Sequence, residues 1–190
     1  KYAASARAAT VKAAGPAGVR DGVHRRPFSV PWPSTPYAPP MRPTDAGPLP
    51  GRLYVECTAA CNISCNQACC APETGITKTR NAGMLDFDLF KNVVDEAGPG
   101  LVRIDFFNYG EAFLHKRAVE MCEYIKSRFP HIYLYTSTNG LAFKDHDQVR
   151  RLVHSGIDEV TFSIDGATSE SYSKYRQRGD FQKAIGNLAA

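Results

Sequence analysis

Residues 55–72 read VECTAACNISCNQACCAP and hold five of the chain's six cysteines, Cys57, Cys61, Cys65, Cys69 and Cys70. Cys61, Cys65 and Cys69 are spaced C-x3-C-x3-C. The run leaves a short β-prone segment, RLYVE (52–56), and leads into MLDFDLFKNVVDEAG (84–98), where Leu85, Leu89, Val93 and Val94 recur at helical spacing. In a reducing compartment, clustered thiols mark a metal, a cluster or catalysis more often than a disulfide frame. Adjacent Cys69 and Cys70 would in any case make a strained pair.

Working outward, the same alternation continues. LVRIDFFN (101–108) predicts a second strand, followed by a helix with Val119, Cys122, Ile125 and Phe129 on one face. IYLYTST (132–138) predicts a third strand, DQVRRLVHSG (147–156) a helix closed by Gly156, and EVTFSID (159–165) a fourth strand. AIGNLAA (184–190) runs on as a helix. Four β units joined by helical crossovers predict an α/β fold with a parallel sheet and right-handed connections. In such folds the site lies at the carboxyl ends of the strands. The segments just past each strand hold CTAACNISCNQACC, YGEAFLH, NG and DGATSE, rich in Cys, Gly, Glu, Asn and Asp.

Upstream the texture differs. KYAASARAATVKAA (1–14) has helix-forming composition without an apolar face, and GPAG stops it. PFSVPWPSTPYAPPMRPTDAGPLP (27–50) favours extended, polyproline-like backbone. Residues 1–51 therefore read as a basic Ala/Pro-rich arm, extended or disordered, with Trp32 and Tyr37 as anchors, and residues 52–190 as the core domain. Residues 1–52 carry eight Lys and Arg against two acids, whereas residues 53–190 carry fifteen against seventeen. The arm has no aromatic interleaving or reading motif, so no nucleic-acid partner is indicated. No apolar run approaches the roughly 18 residues of a membrane span, and the first thirty residues lack a secretory core, so the expected location is cytoplasmic. The chain begins at Lys1 and ends inside a helical pattern, so the core is expected to be incomplete at its C-terminus.

Three thiolates from one loop can ligate three irons of a [4Fe–4S] cluster and leave the fourth iron open, whereas a closed structural site takes four ligands. On this pattern the chain resembles the radical S-adenosylmethionine enzymes, whose usual motif is C-x3-C-x2-C after the first strand of a partial (β/α)6 barrel. YGEAFLH resembles the family's Gly-Gly-Glu segment, with Gly110 and Glu111 retained and Tyr109 in place of the first glycine. STNG (137–140) and SIDGATSESYSKYRQRG (163–179) are also similar to family segments, particularly in the peptide- and protein-modifying (SPASM-type) branch. About four of the family's β/α units are legible.

The resemblance implies a [4Fe–4S] cluster on Cys61, Cys65 and a third cysteine, with S-adenosylmethionine on the open iron. Glu111, after Gly110, would accept from its amino group, Ser163 and Asp165 would lie near its ribose or carboxylate, and Arg176 would pair with the carboxylate. The implied reaction is reductive cleavage giving a 5′-deoxyadenosyl radical that abstracts hydrogen from an unknown substrate, with an electron donor such as flavodoxin or ferredoxin. The usual third position falls on Ala68, so the ligand is Cys69 or Cys70. Cys69 lengthens the interval by one residue and is the expected ligand. A non-enzymatic Cys-rich module binding zinc or an iron–sulfur cluster is the alternative reading. Cys57 and Cys122 are expected in the core, and the histidines lack metal-ligand spacing.

Overall fold

In the computed structural model, which describes residues 9–12, 50–65 and 82–190, the segment Tyr133–Thr138 (β5) alternates half-buried and buried residues. Leu134, Thr136 and Thr138 are sealed on one face, while Tyr133, Tyr135 and Ser137 lie on the other. Glu159–Phe162 (β6) repeats the pattern, with Val160 and Phe162 buried. A strand closed on one side only needs helices on that side.

The remaining elements, in chain order, are Ala9–Lys12 (β1), Arg52–Tyr54 (β2), Ser64–Cys65 (β3), Phe87–Ala97 (α1), Arg103–Asp105 (β4), Ala118–Arg128 (α2), His146–His154 (α3), Ser169–Tyr175 (α4), Arg176–Gln177 (β7) and Phe181–Ala189 (α5). β2, β4, β5 and β6 form the predicted parallel sheet in chain order, with Leu53 opposite Ile104, Ile104 opposite Leu134 and Thr136 opposite Val160. The order never reverses, so each crossover advances the sheet by one strand. The buried faces of α1, α2 and α3 join the sealed strand face in one cluster that includes Phe90, Val94, Ile104, Phe106, Cys122, Ile125, Leu134 and Leu152. Among the described residues no helix is long and apolar enough to cross a membrane.

Helix starts are set by capping side chains. Asp86 accepts from the N–H groups of Asp88 and Leu89, Asp145 from Gln148, and Asp180 from Lys183. Thr168 and Ser171 form a reciprocal capping box on α4.

Two expectations are corrected. The face of α1 is Phe87, Phe90, Val94 and Ala97, while Leu89 and Val93 are exposed by 54% and 42%. The strands are shorter than their apolar runs; β2 ends at Tyr54 and β4 at Asp105. Within the segment of helix-forming composition, Ala9–Lys12 is a strand, paired antiparallel with β6. The Pro-rich stretch with Trp32 and Tyr37, and the cysteines Cys69 and Cys70, lie outside the described residues.

The opposite face of the sheet carries charged side chains. Asp105, with no exposed surface, binds the guanidiniums of Arg52 and Arg103. Burial would push its carboxyl up, but the two arginines outweigh burial and hold it below the ordinary carboxylate range. Arg103 also stacks over Tyr133 and Tyr135, 5.2 and 5.0 Å from their ring centres.

Candidate cluster and cofactor site

The loop that follows β2 is held by its own polar groups and by the loop that follows β4. Thr58 accepts from the Ala60 N–H at 3.1 Å and donates to the Ala82 carbonyl at 3.2 Å. Glu111 N–H donates to the Ala60 carbonyl at 2.8 Å. Gly110 makes this approach possible. Its φ is +77°, and a Cβ there would lie 2.5 Å from the carbonyl oxygens of Thr58 and Ala60. The predicted glycine is thus the point where the two loops touch.

Cys61 is half-buried and Cys65 is buried. Cys65 sits on β3, which pairs antiparallel with β7 so that Cys65 faces Arg176. Arg176 Nη1 lies 3.4 Å from the Cys65 sulfur, while Nε and Nη2 bind Asp165 Oδ2 at 2.6 and 2.5 Å. Burial works against the Arg176 charge, but the fields of Cys65 and Asp165 outweigh it and hold the guanidinium above its ordinary value. Asn139 Nδ2 lies 3.8 Å from the Cys61 sulfur and donates to Asn62 Oδ1 at 2.8 Å. Both described loop cysteines are therefore approached by N–H donors, the arrangement expected around ligating thiolates.

Glu111 is buried at the centre. Its Oε1 accepts from the Thr138 hydroxyl at 2.8 Å and the Phe113 N–H at 3.3 Å, and its Oε2 from the Asn139 N–H at 2.7 Å. Burial raises its carboxyl above the ordinary value despite these bonds and the field of Arg176. Ser163 meets Ser137, their hydroxyl oxygens 3.0 Å apart.

The structure thus forms two contact groups past the strand ends: Cys65, Arg176 and Asp165 in one, and Gly110 and Glu111 with Cys61, joined through Asn139 and the Ala60 backbone, in the other. Ser163 stands at the β6 end through its contact with Ser137. Cys57 and Cys122 lie in the core, where burial pushes both thiols well up; the Cys57 thiol contacts the Met121 sulfur at 3.9 Å. Asn139 and Thr138 carry parts of the site that the sequence reading left unassigned. Asn139 was signalled by the Asn-Gly step at the end of β5.

A protein-family model, described as the Radical SAM superfamily, matches residues 55–190. The chain belongs to the radical SAM superfamily. Among similar radical SAM chains, it is 34% identical over 115 residues to the tungsten-containing aldehyde ferredoxin oxidoreductase cofactor-modifying protein of Pyrococcus furiosus, covering 60% of this chain and 30% of that one. It is 30% identical over 141 residues to the mycofactocin maturase MftC of Mycobacterium tuberculosis, covering 73% and 34%. The chain therefore spans about a third of these curated relatives. Its fold is like that of methylornithine synthase (PylB), with a TM-score of 0.52 at 18% identity, covering 73% of this chain and 40% of that one.

The superfamily's cofactors are a [4Fe–4S] cluster and S-adenosylmethionine. The described donors fit them. Two soft sulfur donors, Cys61 and Cys65, lie on one loop with N–H groups directed at both, and the same region holds a buried carboxylate, Glu111, and a charged guanidinium, Arg176. Among the described residues no group of three or more His, Cys, Asp or Glu is disposed to hold a metal ion, and the stretch containing Cys69 and Cys70 lies outside them.

Proposed function

We propose that this chain is the N-terminal part of the catalytic core of a radical SAM enzyme acting on a peptide or protein. The observation that carries the reading is the pair of N–H donors on Cys61 and Cys65 beside a buried, three-fold hydrogen-bonded Glu111. Cys61, Cys65 and Cys69 would hold the [4Fe–4S] cluster. When bound, the cluster and S-adenosylmethionine supply a 5′-deoxyadenosyl radical able to take hydrogen from an unreactive carbon.

The chain's own residues bind and orient. Glu111 is a carboxylate that burial disfavours, and a cationic amino group at its remaining lone pairs would offset that cost. Arg176 has five N–H donors in a rigid fork, enough to serve a sulfur, Asp165 and a cofactor carboxylate together. Ser163 and Asp165, just past β6, would lie near the ribose or carboxylate of the cofactor. Gly110 keeps the two loops close. The peptide or protein substrate is supported by the likeness of SIDGATSESYSKYRQRG to the SPASM-type branch and by the maturase relative. The electron would come from a small redox protein such as flavodoxin or ferredoxin.

Anaerobic reconstitution tests the reading. Iron and acid-labile sulfide should bind in a one-to-one ratio, and S-adenosylmethionine with a strong reductant should yield 5′-deoxyadenosine. A protein that takes up zinc alone, or an iron-loaded full-length enzyme that never cleaves S-adenosylmethionine, would overturn it. Glu111→Gln should weaken S-adenosylmethionine binding at least tenfold with iron content retained. Loss of iron from that variant would make Glu111 structural.

A further inference from the structure

The two sulfur contacts have no role in the binding of S-adenosylmethionine described above, and their geometry is specific. Arg176 reaches Cys65 because β7 is laddered to β3, and Asp165 grips the opposite edge of the guanidinium. The side chain is only 15% exposed, so little water screens its charge from the sulfur. Asn139 is oriented as firmly. Its side-chain oxygen accepts from the Leu141 N–H at 2.8 Å and its amide nitrogen donates to Asn62, which turns the amide N–H side toward Cys61. At 3.4 Å the arginine contact is the shorter of the two, and it carries a full charge.

An N–H bond to a ligating sulfur stabilises the more negative, reduced state of an iron–sulfur cluster and so raises its reduction potential. A nearby cation acts in the same direction. We propose that Arg176, pinned by Asp165 and assisted by Asn139, sets the reduction potential of the cluster through the Cys65 and Cys61 sulfurs, keeping it within reach of a cellular electron donor. This rests on Cys61 and Cys65 being cluster ligands. Arg176 acts here through Cys65 and is a positioning residue, whatever contact it also makes with the cofactor carboxylate.

The test is a mediated redox titration of the reconstituted holoprotein, followed by the electron paramagnetic resonance of the reduced cluster. It is run without S-adenosylmethionine, so that contacts to that cofactor play no part. Arg176→Met should shift the reduction equilibrium at least tenfold toward the oxidised form, about 59 mV more negative for a one-electron couple. Asn139→Asp, which trades the donor for an acceptor, should move it the same way.

A potential within threefold of the parent in an Arg176→Met protein with full iron and sulfide would overturn the proposal. Should that variant not retain iron, Arg176→Gln removes the charge while keeping a polar side chain there. A shift of threefold or more toward the oxidised form in that protein supports the assignment, and an unchanged potential overturns it. Loss of iron from both variants would also overturn it, by making Arg176 a structural support of the loop. A parent protein that binds no iron and sulfide would remove the cluster reading itself, an outcome separate from any of these.

Discussion

Gly110 concentrates the steric logic of the site in one residue. Its backbone is left-handed, and the space a side chain would occupy is filled by two carbonyl oxygens of the cysteine loop. Gly110→Ala therefore faces both a conformational penalty, of order 1–3 kcal/mol for a strained non-glycine residue, and a clash that only movement of the loop can relieve. We expect stability to fall by at least about 2 kcal/mol in denaturant unfolding, together with loss of iron uptake. Wild-type stability and cluster content in that variant would contradict the loop contact. The glycine and the glutamate were legible because they stand together directly after a strand. Arg176 was legible as a candidate cation, but its contact with Cys65 was not. That contact spans 111 positions and depends on the register of two strands of two residues each, too short to leave a period in the sequence.

Among the elements, α1 shows how a helix can be recognised and its orientation misread. Its sequence offers two apolar stripes, Leu85–Leu89–Val93 and Phe87–Phe90–Val94–Ala97, and periodicity alone admits either. Packing selects the second, in which Phe90 lies among Phe87, Phe106 and Tyr124, with ring centres 5.8–6.4 Å apart. Phe90→Ala should cost about 3–5 kcal/mol through lost burial and the cavity left behind. Leu89→Ala, on the exposed side, should lie within about 0.5 kcal/mol of the parent. Urea unfolding of the two variants checks the assignment, and equal losses would contradict it. The strands were predicted in the right order and direction, because runs of β-branched and aromatic residues punctuated by helical patterns permit few other topologies. Their ends were overestimated because the apolar run continues past the last paired residue; Val55 and Phe106 are buried beyond the ends of β2 and β4.

Across the whole molecule, the sheet has one dry face under the helices and an opposite face bearing the Asp105–arginine pairs. This arrangement follows from four parallel strands, β2, β4, β5 and β6, laid down in chain order, and it brings their ends to a single rim. The same asymmetry separates two methionines. Met121, with no exposed surface, lies in the helix layer against Cys57, whereas Met84, 54% exposed, bridges to Thr58 in the cysteine loop. Thioether oxidation to the sulfoxide requires access to oxidant. Under mild peroxide, peptide mapping should find the sulfoxide at Met84 well before it appears at Met121. Met84 lies at the margin of the cysteine loop, so of these two methionines it would be the first to age, and the lesion would be a newly polar side chain beside that loop.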